Sequence, residues 1–118
     1  MTARRVILEL GSGNDLHGGD YTKAALRAVQ DALHHSSLSM LRTLGVSPAT
    51  MLVDVTIGVQ RPEAVNIDRV KESLPYGQVT VRAVKGGLDV PQRDASDEGH
   101  GDLAVIAAAA ISVRLNLP

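Results

Sequence analysis

The sequence predicts an α/β (α+β) fold: one domain over 1–118, elements in the order β-α-β-α-β-β, and a four-stranded mixed sheet with two helices on one face. Three observations carry this. Residues 51–59, MLVDVTIGV, alternate apolar and polar side chains with the period of two that a half-buried strand needs. Between residues 25 and 44, apolar side chains recur three and four apart, the spacing of one helix face. Glycine- and proline-rich breaks separate such segments, and 118 residues suffice for one core but not for two.

The first strand is read over 4–10, RRVILEL, with Val6, Leu8 and Leu10 on one side and Arg5, Ile7 and Glu9 on the other. GSGNDLHGGD, residues 11–20, then interrupts regular structure. Asp20 or Thr22 caps the first helix, whose stripe runs through Ala25, Val29, Ala32, Leu33, Ser36, Met40 and Leu44 to a glycine stop at Gly45. His34-His35-Ser36-Ser37 is the expected place for a kink. Met51, Val53, Val55, Ile57 and Val59 form the apolar side of the second strand. A short helix spans 66–73, with Asn66 as cap and Val65, Val70 and Leu74 as packing residues. Pro75-Tyr76-Gly77 turns the chain into a third strand, 78–85. Residues 86–101 read as a long loop with Val90-Pro91 extended. The last segment, 102–116, is ambiguous. Ala107–Ala110 favour helix, whereas Ile111, Val113 and Leu115 alternate with Ser112, Arg114 and Asn116, and strand is the reading adopted.

Helical connections between the first three strands suit parallel neighbours. Their second faces are polar: Arg5 and Glu9, Asp54 and Thr56, Thr80 and Arg82, Ser112 and Arg114. A sheet covered on both sides would be apolar on both. Helices are therefore expected on one side only, and a homo-oligomer whose sheets line a polar centre is expected on the other.

Composition narrows the function classes. The chain has no cysteine, which removes disulfides, thiolate metal sites and a cysteine nucleophile. A net charge of -1, with no Phe, no Trp and two Tyr, speaks against nucleic-acid binding by charge or by base stacking. The longest apolar run, Leu103 to Ile111, is too short to cross a bilayer, and no signal peptide is read at the start. No membrane partner is expected, and the cytoplasm is the expected compartment.

The chemistry concentrates in two stretches. The first glycine loop fits neither a dinucleotide fingerprint nor a P-loop, since His17 holds the sixth position and no Gly-Lys-Ser/Thr end follows. It does place Asp15, His17 and Asp20 within six residues. A carboxylate holds a histidine in one tautomer, which suits general acid/base work. Gly11 and Gly13 would expose backbone donors to a substrate, with Asn14 and Gly18 beside them. The second stretch is DASDEGHGD, residues 94–102. His100 and Asp102 are expected to meet His17. Asp97, Glu98, His100 and Asp102 with His17 and Asp15 have the chemistry for a divalent metal, though the spacing matches no metal motif and no cofactor is firmly implied. Lys85 falls in phase with Val79, Val81 and Ala83. It either aims past the sheet edge or sits in a pocket as an anion anchor or base. Ser12 and Ser112 lack the G-x-S-x-G context of a serine hydrolase.

At GSGNDLHG the chain resembles the Lin hypothetical-protein family, whose signature G-x-G-x-D-x-H-G is matched at Gly11, Gly13, Asp15, His17 and Gly18. Leu74-Pro75-Tyr76-Gly77, Gly86-Gly87-Leu88 and Asp102 entering a strand extend the likeness over nearly the whole chain. This resemblance implies no particular activity. The strand-helix order separately resembles bacillus chorismate mutase and the reactive-imine deaminases, an architecture that assembles as trimers with sites at subunit boundaries and has ring-opening relatives acting on cyclic amides. Likeness of architecture does not transfer function.

The expected function is a small-molecule enzyme. His17 is its general acid/base, Asp15 or Asp20 orients it, His100, Asp102 and Lys85 complete the site, and the substrate is small, polar, and of nitrogen-heterocyclic or cyclic-amide type, undergoing hydrolysis or isomerisation. The rival is a ligand- or metal-binding module without turnover.

Overall fold

The computed structural model describes residues 2–34, 38–74, 77–91 and 102–117. The chain runs β1 (Thr2–Asp15), α1 (Tyr21–His34), α2 (Leu38–Thr43), β2 (Leu52–Val59), α3 (Ile67–Glu72), β3 (Gln78–Lys85), β4 (Leu88–Pro91) and β5 (Leu103–Leu117). Short 3-10 turns at Pro48–Thr50 and Pro62–Ala64 precede β2 and α3.

The sheet has five strands rather than four, in the order β1-β5-β2-β3 with β4 also paired to β5. β2 and β3 are parallel neighbours joined through α3, as the sequence predicts. β1 points the same way but is not paired with β2. Between them lies β5, antiparallel to both. Ladder pairing along both edges of β5 overrides the helix preference of its four alanines. β2 pairs with β5 as far as Gly58, opposite Ala108, and β4 then takes over the same edge from Ile106 to Leu103. The hand-over needs the chain to cross the end of β2 at Gly86-Gly87. Gly87 has φ 63°, and a Cβ there would meet the Ile106 carbonyl oxygen at 2.2 Å. Gln60 Nε2 donates to the carbonyls of Gly86 (3.0 Å) and Gly87 (3.2 Å) and fastens the crossing.

The alternation of β2 is realised in full. Met51, Val53, Val55, Ile57 and Val59 are all buried, with Ile111 and Val113 of β5 beside them. α1 packs over β1 and β5, and α3 over β3, so the helices share one face. Asn66 caps α3 by accepting from the Arg69 N–H at 3.1 Å, and Val65, Val70 and Leu74 are buried as expected. Thr22 ties the helices together, since the Asn66 N–H donates to its Oγ1 at 2.9 Å.

β1 corrects the sequence reading. Leu8 and Leu10 point outward, 47% and 65% exposed, while Ile7 is buried. An irregularity in the register between Arg5 and Ile7 shifts the parity of the strand, as a β-bulge does. Beyond it the inward positions are Ile7, Glu9, Gly11, Gly13 and Asp15. The two glycines let the α1 backbone lie directly on the strand. A Cβ on Gly11 would stand 2.4 Å from the Ala28 carbonyl oxygen, and one on Gly13 would stand 2.3 Å from the Ala28 nitrogen. α1 meets them with Ala24, Ala28 and Ala32, all fully buried. The long predicted helix is also two helices, with 35–37 outside the described residues. Gly45 does stop the second, at φ 78°, with Val46 N–H donating to the Leu41 carbonyl and Gly45 N–H to that of Arg42, both at 3.0 Å.

The outer face has two halves. Leu10, Val84, Leu88 and Val90 are exposed at one end. Arg5, Asp54, Thr56, Thr80, Arg82, Ser112 and Arg114 occupy the other. Arg114 pairs with Asp54 inside the chain, Nε to Oδ2 at 2.8 Å. Glu9, expected on this face, shares the helix side with Ile7 instead. Among the described residues, no helix is long and apolar enough to cross a membrane.

Candidate functional site

The parallel strands β1, β2 and β3 all end at one edge of the sheet, where β5 begins. Loops at that edge bring distant residues together, as strand carboxyl ends do in α/β sheets. Gly19 N–H donates to the Leu103 carbonyl at 3.2 Å, which pins the glycine loop to the start of β5. Beside this tie, His17 Nδ1 lies 3.0 Å from Asp102 Oδ2, across 85 residues of chain. A carboxylate accepts only, so Nδ1 carries the proton and donates, and the neutral ring presents Nε2 as an acceptor. Both side chains are open to solvent, 75% exposed for His17 and 51% for Asp102.

The carboxylate bonded to His17 is thus Asp102, and not Asp15 or Asp20. Asp15 is buried, and its Oδ2 accepts the Asp20 N–H at 2.8 Å while Oδ1 faces Arg27 at 3.8 Å and Lys23 at 4.0 Å. Its charge is used to close the loop and to hold two cations of α1. Asp20 caps α1 by accepting from the Lys23 N–H at 3.0 Å. Neither carboxylate bonds to His17 among the described residues. The helix side of Gly11 and Gly13 is filled by α1, and Gly11 together with Lys85 lines a shallow cavity of about 370 Å3 on the outer face. Asn14 points away from Asp15 on β1, and its carbonyl accepts from Arg27. Gly18 lies in the loop next to His17 at φ 92°. Lys85 is exposed at the end of β3, opposite Val59, and no ion pair joins it to the His17 pair among the described residues. His100, Asp97 and Glu98 lie outside the described residues. No group of three metal-ligating side chains is found among the described ones.

The same edge holds a pair that sequence reasoning missed. Tyr21, buried at the first position of α1, donates its phenol to Asp89 Oδ2 of β4, while Asp89 Oδ1 is buried with no partner among the described residues. Burial raises the Tyr21 pKa above the ordinary phenol value, and the hydrogen bond and charge of Asp89 raise it further, with Arg61 opposing. The two residues are 68 apart, and only the pairing of β4 with β5 brings them together.

No curated protein matches the sequence. The fold is similar to the crystal structure of an FtsZ-like protein of unknown function from Nostoc punctiforme, at 35% identity, covering 99% of each chain, with a TM-score of 0.82. A family model described as conserved hypothetical protein matches residues 5–113, and the chain belongs to that family, Lin0512_fam.

Proposed function

We propose that the protein is a small-molecule enzyme that moves protons through His17, held by Asp102. The hydrogen bond from His17 to Asp102 carries this reading, because it fixes one tautomer and leaves Nε2 as a base at the edge of the sheet. The substrate is small and polar, of nitrogen-heterocyclic or cyclic-amide type, and the reaction a hydrolysis or isomerisation. His17 takes a proton from substrate or water and returns it to the leaving or rearranging atom. His100 follows in the chain just before Asp102 and is the next residue to test for a role there.

The exposure of His17 favours one rival, a binding module at the same edge without turnover. Kinetics on a panel of cyclic amides and nitrogen heterocycles separate the two. The enzyme reading expects turnover of at least one member of that panel, dependent on His17. His17→Ala should lower kcat by about a hundredfold or more, and Asp102→Asn by a smaller factor. Activity unchanged in His17→Ala would remove His17 from the mechanism. Ligand binding without turnover would select the rival.

The protein acts as a homo-oligomer built through the apolar end of the outer face, where Leu10, Val84, Leu88 and Val90 are exposed. Three copies are the proposed number, on the resemblance of the order read from the sequence, β-α-β-α-β-β, to trimeric architectures.

A further inference from the structure

The polar end of the outer face forms an open basin of about 490 Å3. Its floor is the row Ser112, Asp54 and Thr80, with Thr56 beside it. Asp54 is already neutralised by Arg114 at 2.8 Å. Two further arginines line the basin, Arg5 from β1 and Arg82 from β3. Arg82 Nε donates to Thr56 Oγ1 at 3.2 Å, which turns the guanidinium over the sheet while its terminal N–H groups stay available. Neither Arg5 nor Arg82 has a carboxylate partner among the described residues. The basin therefore holds two uncompensated positive charges beside three hydroxyls, those of Thr56, Thr80 and Ser112.

We infer that this basin binds a small anion with two charged ends, carboxylate or phosphate. Arginine forks match either group in a bidentate way, and hydroxyls supply the remaining hydrogen bonds. The spacing asks for two ends. Arg5 and Arg82 sit three strands apart and four register positions apart. That is about 14 Å across the sheet and about 13 Å along it at ordinary strand spacings. These are α-carbon spacings, and both side chains line the one basin, so a two-ended ligand lying across the floor meets an arginine at each end. The basin is distinct from the His17 pair. Ser112 and Asp102 are ten residues apart on one extended chain, which at strand rise is about 33 Å.

The test is calorimetric titration of the full chain with pyrophosphate, with succinate, and with orthophosphate as a single-ended control, at matched ionic strength in sodium chloride. Saturable binding of pyrophosphate or succinate, tighter than orthophosphate, is expected. Saturation by pyrophosphate alone assigns a phosphate ligand, and by succinate alone a carboxylate. Arg5→Gln and Arg82→Gln should each weaken that binding about tenfold or more, while His17→Ala leaves it unchanged. Both arginines are exposed, so melting temperatures near wild type confirm that the variants fold. Failure of both two-ended probes to saturate the wild type overturns the inference, as does binding that survives both arginine substitutions.

Discussion

Tyr21 shows how one side chain sets a pH dependence. Its phenol is buried against Asp89, so the folded chain holds the proton more tightly than the unfolded one. The stability this provides is complete below the ordinary tyrosine pKa of about 10 and is lost as pH rises through the higher folded value. Urea midpoints measured from pH 8 to 11 should therefore fall for wild type. In Tyr21→Phe the alkaline fall should be shallower, and at neutral pH the variant should be less stable by about 1–3 kcal/mol, because Asp89 loses its donor. Parallel alkaline slopes would show that the phenol is not held in this way. Nothing near Tyr21 in the sequence announces the pair. By contrast, Asn66 is legible as a cap because its partner N–H is three residues away.

At the scale of elements, α1 lies backbone to backbone on β1 at Gly11 and Gly13. Gly13→Ala places a methyl 2.3 Å from a backbone nitrogen that cannot move without moving the helix. The expected cost is about 3 kcal/mol, the upper end of overpacking. In melting temperature this is roughly 10–20 °C. Ser12→Ala on the same strand should change stability by no more than about 0.5 kcal/mol. Equal melting temperatures for the two variants would mean that helix and strand are not packed backbone to backbone. The glycines were visible in the sequence, but their role was not. Hydropathy gives no weight to a missing side chain, so it selects Leu8 and Leu10 as the buried set in place of Gly11 and Gly13. The parity shift near Val6 hides the true one. β2 was legible because its alternation is unbroken and every second residue is Val, Ile or Met.

The whole molecule is more open than its mass requires. It exposes 7130 Å2, against about 6100 Å2 for a compact monomer of this size. Its radius of gyration is 16.4 Å, against about 13.5 Å for a compact domain. Leu10, 65% exposed on the outer face, is the residue at which the proposed homo-oligomer is tested. Light scattering should give a multiple of the 12.4 kDa chain mass, and Leu10→Glu should lower it. A wild-type mass of one chain at micromolar concentration would end that reading.

What the sequence determined by itself was local: the strand at 51–59, the capped helix after Asn66, the glycine stop at Gly45, and the polar half of the sheet's outer face. Each depends on residues within a few positions of one another, where period, capping and backbone freedom act directly. Tertiary structure alone decided that β5 separates β1 from β2, that Gly11 and Gly13 receive a helix, and that His17 bonds to Asp102 and not to Asp15 or Asp20. Those choices compare packings of distant segments, and no short stretch of chain holds the information to rank them.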